Sequence, residues 1–122
     1  MTSKVVTVHI AHHRLEHGIT VLEMKGSIHA GPDCKRVEDE VEHLTQGGHA
    51  RVIFDFSHIT HIDSAAIGMI VRCFSHVKKG GGILRLACAT GMVDASLRMT
   101  QIHKVIGMYP TVAAAAEDLG HS

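Results

Sequence analysis

Between Arg51 and Lys79 the apolar pattern changes its period, and that change constrains the fold more than any other feature of this 122-residue chain. Arg51-Val52-Ile53-Phe54-Asp55-Phe56 is a β-branched and aromatic run that reads as a buried strand, with a loop predicted from Ser57 to Ile62. Ile67, Ile70, Val71, Phe74 and Val77 then recur at helical spacing, on a helix predicted from Ser64 to Lys79. The polar pair Asp63-Ser64 sits at the junction. Either side chain can serve as the N-cap, accepting from an N–H group that the first turn leaves unpaired. A hydroxyl placed there lies at a mouth of the fold and not in its core.

The remaining segments arrange themselves around this junction. Val5, Val6, Val8 and Ile10 suggest an opening strand and Ile19 to Met24 a second. The turn His17-Gly18 between them makes an antiparallel hairpin, and Gly26 breaks the pattern after it. Gly31-Pro32-Asp33 starts a helix, with proline where its missing N–H is harmless and an acid in the first turn. Cys34, Val37, Val41 and Leu44 give that helix a packed face, and Gly47-Gly48 end it. Gly80-Gly81-Gly82 is a helix stop and turn. A phosphate cradle needs its glycines after a strand and before a helix, whereas these follow a helix and precede the strand Ile83 to Cys88. Thr90-Gly91 opens a third helix with Met92, Ala95, Leu97, Met99 and Ile102 on its apolar side. Val105 to Met108 is expected to add a last strand, and Pro110-Thr111 to cap a closing helix from Val112 to Leu119. The pattern is α/β: a mixed, mostly parallel sheet of about four to five strands with an N-terminal antiparallel hairpin and about four helices.

Length and charge narrow the function. A chain of this size supports one core and one domain, residues 1–122, with no repeat or linker. Lys plus Arg number 12 and Asp plus Glu 12, so no net field draws in nucleic acid or an anionic membrane. No apolar run approaches the roughly 18 residues of a membrane span. Met1-Thr2-Ser3-Lys4 leads into a strand-like pattern without a secretory segment, so a cytoplasmic protein is expected. Cys34, Cys73 and Cys88 are odd in number, far apart and outside any CxxC, which suits small reduced core residues. Twelve histidines are spread from His9 to His121, and because imidazole titrates near ~6.5 the chain gains positive charge on mild acidification.

On a strand, His9 and His13 share one face and His12 takes the other, and no Cys or acid completes a ligand set with His17, so no metal or cofactor is expected. The chain has neither a Gly-x-Ser-x-Gly elbow nor a Gly-rich nucleotide fingerprint, which leaves an enzyme unsupported. Ser64 can be a helix cap and nothing more, and Asp63 can either cap or orient the neighbouring hydroxyl. Gly68 reads as a close-packing point, since glycine within a helix costs about 1 kcal/mol against alanine.

The run from Val52 to Gly68, an apolar strand followed by Asp-Ser-x-x-Ile-Gly, resembles the signature of the STAS domain and, within it, of the bacterial anti-sigma factor antagonists. The usual form is Asp-Ser-Ser-Gly-Leu-Gly. Asp63, Ser64 and Gly68 stand where that family has them, and Ala65 and Ala66 replace the second Ser and the first Gly. The order of elements and the ending from Leu97 to Leu119 also fit, so the resemblance covers nearly the whole chain. It implies a non-catalytic STAS domain whose unphosphorylated form binds an anti-sigma factor with serine kinase activity and so frees a sigma factor. That kinase, using ATP and Mg²⁺, would phosphorylate Ser64 beside Asp63 and end the interaction, and a serine phosphatase would reset it. The implied contact face holds Asp63, Ser64, Ile67 and Gly68, flanked by Ile28, His29 and Ala30 and by Thr90 and Gly91. Gly26 and Ile28 match the family's Gly-x-Leu-Asp, with His29 in place of the acid. The alternative under the same resemblance is a STAS module that regulates or scaffolds a transporter ATPase or a signalling complex, with Ser64 only a cap.

Overall fold

In the computed structural model, which describes residues 5–120, five strands form one sheet in the order β1-β2-β3-β4-β5. β1 (Val8–Arg14) and β2 (Ile19–Ile28) make the antiparallel hairpin, and β2, β3 (Arg51–Ile62), β4 (Ile83–Ala87) and β5 (Met108–Tyr109) run parallel. Helices α1 (Pro32–Leu44), α2 (Ser64–Lys79), α3 (Gly91–Met99) and α4 (Val112–Gly120) alternate with the parallel strands. This is the expected mixed α/β architecture. The Met1-Thr2-Ser3-Lys4 lead, read above as non-secretory, lies outside the described residues. No described helix is long and apolar enough to cross a membrane.

Strand alternation divides the core in two. On one side Leu22, Met24, Val52, Phe54, Leu84 and Leu86 pack with Val37 and Val41 of α1, Met69 and Ile70 of α2, and Val93 and Leu97 of α3. On the other, Ile19, Val21, Ile53 and Ala87 pack with Ala115 and Leu119 of α4. Right-handed crossovers between neighbouring parallel strands place the first three helices on one face, and α4, which follows the last strand, covers part of the other. Phe54 and Phe56 meet edge to face with ring centroids 6.2 Å apart.

Several boundaries differ from the sequence expectation, each for a local reason. β1 starts at Val8, because the ladder opens at Val8 opposite Gly26 and Val5 and Val6 stay exposed. β2 does not end near Gly26. The strand continues to Ile28 through Gly26, which adopts φ 102° and has no room for a Cβ against the Thr7 carbonyl. β3 continues through the supposed loop to Ile62. Five steps along β2, from Glu23 to Ile28, face seven along β3, from Asp55 to Ile62, with register breaks at Glu23/Lys25 and Gly26/Ser27. The two extra residues on β3 are taken up as bulges, which destroy the alternation by which a strand is recognised while still turning Ile59 and Ile62 into the core.

β4 stops at Ala87 because Cys88 turns to φ 64°. β5 forms at Met108–Tyr109 and not from Val105, since Ile102–Lys104 is a 3-10 turn that buries Ile102 and Ile106. α1 ends at Leu44, ahead of Gly47-Gly48. On α3 the inward residues are Val93 and Leu97, while Met92, Ala95 and Met99 face out. On α2 they are Ala66, Met69, Ile70, Cys73 and Val77, which leaves Ile67 and Phe74 half-buried and Val71 exposed. Cys34 and Cys73 are buried and Cys88 is half-buried, all three as free thiols.

Candidate functional site

The long β3 carries the chain to the carboxyl end of the sheet, where Ile62 tucks into the core and Asp63 turns the backbone into α2. Asp63 is extended (φ −109°, ψ −179°), and its Oδ1 accepts from the Ala66 N–H at 2.8 Å. Asp63 is therefore the N-cap, and Ser64 is the first residue of the helix, exposed to solvent. The other carboxylate oxygen of Asp63 accepts from the Ala30 N–H at 2.9 Å. One side chain thus ties the start of α2 to the loop between β2 and α1. Burial works to raise the Asp63 pKa, but the Ala30 and Ala66 N–H groups, the nearby His29 and the Ala65 N–H outweigh it and hold the carboxyl below its ordinary value.

The same loop is held from its other side by Asp33. This carboxylate, only 2% exposed, accepts from the Thr7 N–H and the Thr7 hydroxyl, both at 2.6 Å, and from the Val8 and His29 N–H groups, both at 3.0 Å. His29 Nδ1 lies 3.9 Å from Asp33 Oδ2. Burial works against the charge, yet the four donated bonds leave the Asp33 pKa lowered. In the sequence Asp33 looked like a first-turn acid only. Nothing local marks Thr7, 26 residues away, as its partner.

Along the solvent side of α2, Ser64, Ile67, Gly68 and Val71 fall at i, i+3, i+4 and i+7 and so share one stripe. Val71, which shares its helical spacing with the buried Ile70 and Val77, is 39% exposed and extends this stripe instead. The close-packing expectation for Gly68 is not met. A Cβ at that position would meet only the Arg72 guanidinium Nη1, at an ordinary 3.5 Å, and Arg72 is itself held by Glu38 of α1 at 2.7 Å. No neighbour within the described chain requires a glycine there.

Of the predicted flanking residues, His29 and Ala30 are brought against Asp63. Ile28 is not a surface residue: it is 0% exposed, paired with Ile62 and packed into the core. Thr90 and Gly91 are exposed and line an open depression of about 400 Å³ with Ala89, Asp94, Arg98 and Tyr109, whose lining includes neither Asp63 nor Ser64. His12 pairs with Glu40 and His13 with Glu23 on opposite faces of β1, and no described cluster of three or more His, Cys, Asp or Glu could hold a metal ion. Chemically, the junction offers a primary hydroxyl in the first turn of a 16-residue helix, beside a carboxylate fully engaged with backbone N–H groups. A phosphoryl group on that hydroxyl would sit at the positive end of the helix dipole.

The STAS domain family matches this chain over residues 13–115. A Thermotoga maritima relative, provisionally named an anti-sigma factor antagonist, is 25% identical over 72 residues, which are 59% of this chain and 64% of that protein. The match therefore spans less than two thirds of the relative's length. Among solved structures, a crystal structure of a Thermotoga maritima protein with the same provisional name superposes with a TM-score of 0.79 at 18% identity, covering 90% of this chain and 93% of that one. The Bacillus cell fate determinant SpoIIAA in its phosphorylated form gives 0.68 at 13% identity, over 90% of this chain and 98% of its own. A murine anion transporter of solute carrier family 26 gives 0.74 at 11% identity, with 98% of this chain matching 23% of the transporter.

Proposed function

We propose a function from the premise that this chain belongs to the STAS domain family: it is an anti-sigma factor antagonist, a non-catalytic cytoplasmic STAS domain over residues 1–122 that binds its partner through the exposed stripe of α2. Its unphosphorylated form captures an anti-sigma factor with serine kinase activity and so frees a sigma factor. Phosphorylation of Ser64 by that kinase ends the capture, and a serine phosphatase reverses it. The observation that carries this reading is Gly68. A glycine that costs its helix about 1 kcal/mol, and that no neighbour among the described residues requires, is explained by close approach of another molecule one turn from Ser64.

The energetics follow from the geometry. Ile67 and Val71 offer a small apolar centre, the kind of anchor on which a contact's affinity is concentrated. Phosphate adds about −1.5 to −2 charges. The helix end tolerates that charge, but in the middle of an apolar contact it would be desolvated without a counter-ion. His29 and Ala30, fixed by Asp33 and Asp63, form the flank of the face. Support comes also from the names of the Thermotoga relatives and from the existence of a phosphorylated form of SpoIIAA, a neighbour in fold.

The test is phosphosite mass spectrometry after incubation with Mg-ATP and an extract of the source organism, comparing wild type with Ser64→Ala. Phosphate on Ser64, absent from the variant, is the expected result. No phosphate, in an extract that phosphorylates other proteins, would favour the second reading, a scaffold within a transporter assembly, to which the fold match inside an anion transporter lends support.

A further inference from the structure

Helix α3 turns two long apolar side chains to solvent. Met92 is 50% exposed and Met99 83%, with the exposed Ala95 between them, while Val93 and Leu97 on the opposite side are buried. Single exposed apolar residues are ordinary, but two methionines seven residues apart on one helix face, with a small residue between, form a patch. Asp94 and Arg98 run along the other flank of the same outward face, and Arg98 Nε donates to both Asp94 oxygens at 3.0 and 3.1 Å. The methionine pair is centred between Ala95 and Ser96 and the charged pair on Ser96, within half a residue of each other.

We propose that this face binds a second copy of the same chain, with the two α3 helices antiparallel about a two-fold axis at Ala95-Ser96. Such an axis brings residue i of one copy against residue j of the other and j against i. Met92 then meets Met99 of the second copy on one flank, and Asp94 faces Arg98 on the other, so the four charges alternate around a square. Ala95 meets Ala95, where the absence of bulk lets the helices approach, and methionine adapts to the contact. A parallel arrangement about a two-fold along the helices would set the charged flank of each copy against the methionines of the other, leaving no charge opposite a counter-charge, so the pattern selects the antiparallel direction. One nine-residue helix from each copy is less than the roughly 1,200 Å² of a standard interface, so the dimer is weak and depends on concentration. None of these residues belongs to the α2 stripe, and the inference stands apart from the role of Ser64.

Sedimentation equilibrium of the full chain, carried to about 1 mM at low ionic strength, tests it. A reversible monomer–dimer equilibrium is expected, with Met99→Lys and Met92→Lys each raising Kd about tenfold or more. Arg98→Asp weakens association, and the double change Asp94→Arg with Arg98→Asp restores it, because the square of charges is rebuilt with signs exchanged. A protein that stays monomeric at the highest concentration overturns the proposal. So does a dimer indifferent to both methionine substitutions in variants that retain the native circular dichroism spectrum.

Discussion

Replacing Gly68 by alanine separates folding from binding. The added methyl meets only the end of Arg72, so urea unfolding should show stability gained by up to about 1 kcal/mol. If the proposed contact is right, the same variant binds the anti-sigma factor more weakly, and unchanged affinity would remove Gly68 from the interface. Asp63 behaves in the opposite way. Asp63→Ala loses both the cap of α2 and the bond from Ala30, a loss of about 1–2 kcal/mol on chemical denaturation. Asp63→Asn keeps one acceptor for the cap but turns an amide N–H₂ toward the Ala30 donor, and should fall between wild type and Asp63→Ala. The motif itself announced these two residues. Their roles did not follow from it, because whether a carboxylate caps its own helix or reaches a loop 33 residues away is decided by which backbone donors come within reach.

At the scale of elements, α2 presents an inner arc of Ala66, Met69, Ile70, Cys73 and Val77 and an outer stripe of Ser64, Ile67, Gly68 and Val71. Val71→Lys, on an already exposed position, should change stability by no more than about 0.5 kcal/mol. Partner affinity measured by calorimetry should nevertheless drop about tenfold or more if the outer stripe is the contact. Ser64→Asp should mimic release, and Ser64→Ala should bind without being switched off. An Asp variant that binds as tightly as wild type would refute the switch. Apolar periodicity found this helix easily but misjudged its orientation, since Ile67, Val71 and Phe74 are as apolar as the residues that face the sheet. The second half of β3 is hidden from periodicity for a related reason: its bulges shift Ile59 and Ile62 off strict alternation.

For the whole molecule, the lowered carboxyl pKa values of Asp33, Glu40 and Asp63 predict how stability depends on acid. Burial opposes ionisation of Asp33 and Asp63 and their donated hydrogen bonds prevail, whereas for Glu40 the bond from Arg36 comes first, against burial and with help from His12. A carboxyl group with a pKa lower in the folded state binds fewer protons there than in the unfolded chain. The stability it contributes is present above the unfolded value of about 4 and is lost as pH falls through the folded value. Urea midpoints should therefore decline below about pH 4. Asp33→Asn should flatten that decline, and an unchanged slope would show that Asp33 titrates alike in both states.

Local pattern by itself determined the alternation of strands and helices, the N-terminal hairpin, the helix boundaries around Pro32 and Ser64, and the motif that marks the STAS family, because these rest on periodicity, turn residues and contiguous spacing. Only the tertiary structure decided that Ile28 is core and Val71 surface, that Asp33 binds Thr7, that Asp63 holds Ala30, and that Gly68 has no neighbour requiring it among the described residues. Each of these depends on contacts between residues distant in the chain. A one-residue bulge or a rotated helix reassigns them without altering a local propensity.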